Sequence, residues 1–139
     1  MAFALNRLEV WWARSPQTLL KLLQAMQQHA LREQGDLGEA LRWTMFTFAG
    51  VALSSSEEDL RNVFAESMVY WIRHGDGESV HYACCCLSRC KSSLGPLDDA
   101  CRDALLLRRD FLTLSYEHLH ARAQAGLDRF CPGWRDLRA

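Results

Sequence analysis

Cys84, Cys85 and Cys86 stand in a row, His81 precedes them by one helical turn, and Cys90 follows one turn later. Thiolate sulfur and imidazole nitrogen are zinc ligands, and thiols exchange electrons, so this stretch is where chemistry is sought first. On a helix at 100° per residue His81 and Cys85 share one face, Cys86 and Cys90 share another, and Cys84 points with the apolar stripe. His81, Cys85, Cys86 and Cys90 are therefore the candidates for a thiol- or metal-responsive regulator. A closed zinc site needs four ligands, and consecutive cysteines on a regular helix cannot all reach one ion, so Cys101, Cys131 or a distant His would have to complete it. The competing reading is that cysteine, a small hydrophobe, fills tight space between helices. Burial of most of these thiols is expected, with no metal and no other cofactor. Disulfide scaffolds spread their cysteines along loops, whereas crowding four onto one helix makes bridges geometrically awkward. Reduced thiols in a cytoplasmic setting fit better.

Other reactive residue types are dispersed. His29, His74, His81, His118 and His120 fall on four segments, and His118 and His120 lie 200° apart on a helix. Glu57, Glu58 and Asp59, like Asp98 and Asp99, stand where helix starts favour negative charge. There is no Gly-rich phosphate loop, no His-Glu-x-x-His and no Gly-x-Ser-x-Gly. No catalytic residue is assigned, and the chain is expected not to be an enzyme.

Aromatic residues give a better lead. Trp11 and Trp12 are adjacent on one predicted helix and cannot both face a core, Trp134 lies in a tail, and Tyr70 and Tyr82 flank a turn. Trp, Tyr and Arg dominate binding hot spots. These five are the candidate partner-binding residues, and the partner is expected to be another protein. Pairing of two copies through the apolar termini is a further expectation.

These residues need helices to position them. Leu5, Leu8 and Trp12 give a short helix within residues 1–14, and Ser15-Pro16 starts a second, striped by Leu19, Leu22, Leu23, Met26 and Ala30. After Gly35, Asp36 can cap a third helix. It carries the charge-free run Trp43–Leu53, which is expected to be covered by neighbours on several sides, with Trp43, Met45, Phe46, Phe48, Val51 and Leu53 buried. Leu60, Val63, Phe64, Met68, Trp71 and Ile72 stripe the next helix, and Asp76-Gly77 is turn chemistry. Val80, Ala83, Cys84, Leu87 and Lys91 line another. Pro96 opens the last and longest helix, about Leu97 to Gln124, with Leu112, Tyr116 and Leu119 on its inner side and Gly126 as its breaker. No alternating β-branched run is present, so no sheet is expected.

Gln34-Gly35-Asp36 is echoed by His74-Gly75-Asp76 forty residues later. Gly35-Asp36-Leu37-Gly38-Glu39-Ala40-Leu41 resembles the inter-helix turn of tetratricopeptide repeats, in which a small residue at the place of Ala40 allows close helix approach. The likeness spans about ten residues, Val80 takes the Ala place at the second turn, and the upstream Trp and Gly of the motif are unmatched. The resemblance implies helical hairpins that bind peptides or unfolded partners.

Composition bounds the answer. The chain has 139 residues, 49% hydrophobic and 24% charged, with a net charge of −1. That suits one all-α domain over residues 1–139: five long helices and a short N-terminal one, paired as antiparallel hairpins in a compact bundle or a divergent tetratricopeptide-like stack. The near-neutral charge and a slight Arg excess after Cys101 give no nucleic-acid footprint. The charge-free run is about half a membrane span, so no membrane is expected as partner, and Arg7 and Glu9 interrupt any secretory signal. By elimination, a non-catalytic protein-interaction module is expected, as adaptor, secretion chaperone, anti-activator or toxin-immunity protein.

Overall fold

The computed structural model describes residues 2–33, 35–91, 93–108 and 121–137. Among them the fold is all-helical: α1 (Ala2–Arg14), α2 (Pro16–Arg32), α3 (Gly35–Leu53), α4 (Glu58–His74), α5 (Gly77–Leu87), α6 (Pro96–Leu107), α7 (Ala121–Phe130), and a closing 3-10 turn, Trp134–Leu137. No described helix is long and apolar enough to cross a membrane.

Helix boundaries follow local chemistry. Pro16 and Pro96 occupy first-turn positions whose N–H groups have no helical acceptor. Asp76 caps α5 by accepting the Ser79 N–H at 2.8 Å. Burial raises the Asp76 carboxyl, but the Ser79 hydrogen bonds and nearby Arg42 outweigh this and hold it below the usual range. Three arginines stop carbonyl ends that helices leave unpaired. Arg42 donates to Ala30 O at 3.2 Å, Arg61 to Ser55 O at 2.8 Å, and Arg108 to both Ile72 O and Gly75 O at 2.7 Å. Each ties one helix end to a residue on a later helix or just beyond it, so these contacts fix tertiary geometry as well as capping.

The most extensive packing is α5 on α7, followed by α2 on α3, α4 on α6 and α4 on α5; α3 also packs on α1, α4 and α5, and α6 meets α7 only lightly. The α2/α3 pair meets the α4/α5 pair mainly through α3 alone, whereas α6 and α7 dock separately on α4 and α5. The two junctions differ, so the chain is not one repeated step. At the first turn Ala40 is exposed, and Gly38 permits the close approach: a methyl there would lie 2.2 Å from Glu33 O.

Leu60, Phe64, Met68, Trp71 and Ile72 of α4 are sealed from solvent, matching the stripe read from the sequence, with Val63 half-buried. The Trp71 indole N–H meets Met45 Sδ at 3.1 Å, joining α4 to α3. From Ala49 to Leu53 α3 is covered all round, as its lack of charge predicts. Its first half departs from that expectation, since Trp43 is 64% exposed and Phe48 39%. Trp43 stands at the mouth of a groove toward α5, where Tyr82 meets it edge-on and leaves most of the ring in water.

Two boundaries are corrected. The cysteine helix α5 ends at Leu87, before Lys91, so Cys90 lies in the following loop. The single last helix is also not observed: α6 ends at Leu107, where Arg108 leaves helical geometry to cap α4, and α7 runs straight through Gly126. Gly126 is a packing residue, because a methyl there would sit 2.2 Å from Cys84 O. Leu112, Tyr116, Leu119, His118 and His120 lie outside the described residues.

Candidate functional site

α3 and α5 lie side by side and point the same way. Trp43 meets Tyr82 edge-on with ring centroids 6.2 Å apart, Cys86 Sγ donates to Phe46 O at 3.2 Å, and Gly50 lies against the Arg89 side chain. Contacts advance together along both helices, which defines a parallel pair. Between them opens a groove of about 660 Å³, with Arg122 of α7 on its far wall. A smaller recess of about 80 Å³ adjoins it at the N-terminal ends, bounded by Glu39, Arg42, Glu78 and Ser79 and sharing Trp43, Phe46 and Tyr82 with the larger groove.

The groove floor is a relay of rings from surface to core. Tyr82 touches Trp43 on one side and Phe46 on the other, at 5.7 Å between centroids, and Phe46 packs on buried Trp71 at 5.3 Å. His81 meets Tyr82 edge-on at 5.7 Å. Such offset and edge-to-face contacts hold the aromatic positions without closing them over. Thr44 and Thr47 donate their hydroxyls to Ala40 O and Trp43 O of their own helix, each at 2.8 Å. Their hydroxyl protons are thus engaged within α3, so Thr47, which lines the groove, can offer an incoming chain an acceptor but no donor.

The thiols beside the groove are quiet. Burial raises Cys85 even though Arg122 and Arg89 pull it down, and burial pushes Cys86 up to about 12. Cys84, sealed against α7, is raised well above its ordinary value by burial and by neighbouring thiols, and burial pushes Cys101 to about 12. With their values raised, these cysteines are held as neutral thiols near pH 7, the less nucleophilic form. His81, Cys85 and Cys86 do line the groove, but Cys90 is buried beyond the helix end and does not join them. No group of three or more described His, Cys, Asp or Glu is placed to hold a metal ion.

The five aromatics singled out from the sequence are not gathered into one patch. Tyr82 stands in the groove, while Tyr70 is half-buried on α4 and stacks on His74 at 4.6 Å. Trp11 and Trp12 are both half-buried, sharing the edge of the core with neither fully inside it, and Trp11 borders an apolar recess with Leu22 and Phe48. Trp134 docks back on the body, buried to 1% exposure, and donates its indole N–H to Asp128 at 2.9 Å. It therefore presents no surface to a partner. Trp43, Glu39, Glu78, Arg89 and Arg122 were not singled out. A signal for Trp43 was present: Thr44 and Thr47 mark its side of α3 as facing water.

No protein-family model, curated protein or solved structure matches the chain.

Proposed function

We propose that the chain is a non-catalytic module that holds a segment of another protein in the groove between α3 and α5. The observation that carries this is Trp43, its indole 64% exposed yet backed by Tyr82 at the mouth of a groove of about 660 Å³. A large exposed ring held against a second aromatic is the arrangement of a binding hot spot, where ordering on association costs little further entropy. Neutral, buried thiols and dispersed histidines support a holding role over chemistry. Adaptor, secretion-chaperone, anti-activator and toxin-immunity roles all come within this proposal, since each consists in holding a partner.

The test is recovery of a partner from the native host with the wild-type chain, followed by a dissociation constant measured with the two purified proteins. Trp43→Ala should weaken that complex by roughly 30-fold or more, the loss of one central hot spot. An unchanged constant for Trp43→Ala and for Tyr82→Ala would exclude this groove. Bound zinc in the purified protein, or fast-reacting thiols that change its assembly, would instead favour a regulator built on Cys85 and Cys86.

A further inference from the structure

Resting on that groove as the holding surface, we infer what fills it: an amphipathic helix of the partner, antiparallel to α3 and α5, acidic in its first turn and basic in its last. From Glu39 to Gly50 the floor is about 16 Å long, room for roughly three turns. Its walls are helices, whose mid-helix N–H and C=O groups are already paired within each helix, and the Thr44 and Thr47 hydroxyls bond their own helix. An extended peptide laid here would lose water from its backbone and gain few partners, at a cost of about 1–3 kcal/mol for each group left unpaired. A helix carries its hydrogen bonds with it and offers only side chains.

The direction follows from charge. At the N-terminal end of the floor stand Glu39 and Glu78, both exposed, with the Asp76 carboxylate nearby, and Arg42, which donates to the carbonyl end of α2, offsets one of these three negative charges. Arg89 and Arg122 stand toward the other end, both close enough to Cys85 to act on its thiol, with Arg89 against Gly50. A helix entering with acids near Arg89 and Arg122 and leaving with Lys or Arg near Glu39 and Glu78 pairs both ends. Backbone dipoles favour the same orientation, because the partner's negative C-terminus then lies beside the positive N-termini of α3 and α5. Between the ends, apolar side chains meet Trp43, Phe46 and Val51.

The experiment uses the full chain and stapled helical peptides of about four turns with one Leu/Phe stripe. One peptide has Glu in the first turn and Lys in the last, and its control has Gln at all these places. Fluorescence anisotropy at low salt should give about tenfold tighter binding for the charged peptide. Added salt and the double substitution Arg89→Gln/Arg122→Gln should each erase most of that gain. A nitroxide on the peptide N-terminus should broaden amide signals around Cys85 and Arg89, not those near Glu39 and Glu78. Equal affinity for both peptides, or broadening at the Glu39 end, overturns the inference while leaving the groove as a holding surface, provided binding still needs Trp43. Failure of both peptides also overturns it, and the purified-partner constant for Trp43→Ala then decides the groove separately. A dimer in solution that dissociates on Trp43→Ala would make the occupant a second copy of this chain and would likewise overturn it.

Discussion

Two tryptophans at opposite places in the chain have exchanged the environments their positions suggest. Trp43 lies inside an uncharged run in the middle of the sequence, yet most of its ring faces water. Trp134 lies five residues before the last, Ala139, and is sealed, its indole N–H on Asp128 and the Arg135 guanidinium over its ring at 4.6 Å. What separates them is the supply of neighbours. The tail folds back against the body beside α7, whereas Trp43 borders the open groove between α3 and α5 and is met edge-on by Tyr82. Hydrophobic character states a preference for burial, and only packing partners satisfy it.

This contrast predicts that loss of either ring has opposite consequences. Trp134→Ala should be the largest effect, about 3–5 kcal/mol of lost stability in urea unfolding, because it empties a large buried volume and strands the Asp128 partnership. A loss under about 1 kcal/mol would mean that the tail is not docked in solution. Next is Gly126→Ala, which drives a methyl into Cys84 O and should cost about 1–3 kcal/mol as α7 is pushed off α5. As α7 carries both the groove's Arg122 wall and the seat of Trp134, the two regions should loosen together, in peptide affinity and in Trp134 shielding from acrylamide.

Acid should act at two places, the Asp76 cap of α5 and the tail, and the tail step is the one that Asp128 sets. Burial raises the Asp128 carboxyl, but hydrogen bonds from Trp134 and Arg135 and the Arg135 charge together outweigh this and hold it below the usual carboxylate range. A carboxyl depressed in the folded state stabilises it above its unfolded pKa, and that contribution disappears as pH falls through the depressed value. Near-UV dichroism of the tail should therefore weaken below about pH 4, and Asp128→Asn should remove that step. The smallest effect on stability belongs to Trp43→Ala, within about 0.5 kcal/mol of wild type, even though it should abolish most partner binding. A stability loss comparable to that of Trp134→Ala would show Trp43 buried in solution and close the groove.

Much of the fold was legible because it depends on local periodicity. The α4 stripe from Leu60 to Ile72, the prolines at first turns and the turn at Asp76-Gly77 are properties of a few neighbouring residues, and each appears where the spacing places it. Two readings failed for a tertiary reason. Gly126 looks like a helix breaker by propensity, but close contact with Cys84 O requires that no side chain be there. Helix propensity continues past Leu107, yet Arg108 turns away to stop the open carbonyls of α4, a demand set by a segment more than thirty residues upstream.

Of the candidate site, Tyr82, His81, Cys85 and Cys86 were recognised and are found together along one groove. The cysteines were the most conspicuous residues, yet burial, and after it the neighbouring thiols, raise Cys84 and Cys86 instead of activating them. Trp43 and the two charged ends were missed because a groove belongs to two helices at once, and neither sequence contains the other's register.

By itself the sequence determined that this chain forms helices, roughly where most of them begin and end, and which face of each turns inward, because those follow from hydrogen bonding and apolar spacing within a few turns. The parallel placement of α3 and α5, the exposure of Trp43 and the burial of Trp134 were decided only by tertiary structure. They depend on which surfaces remain after distant helices have packed, and that quantity is a property of the assembled chain.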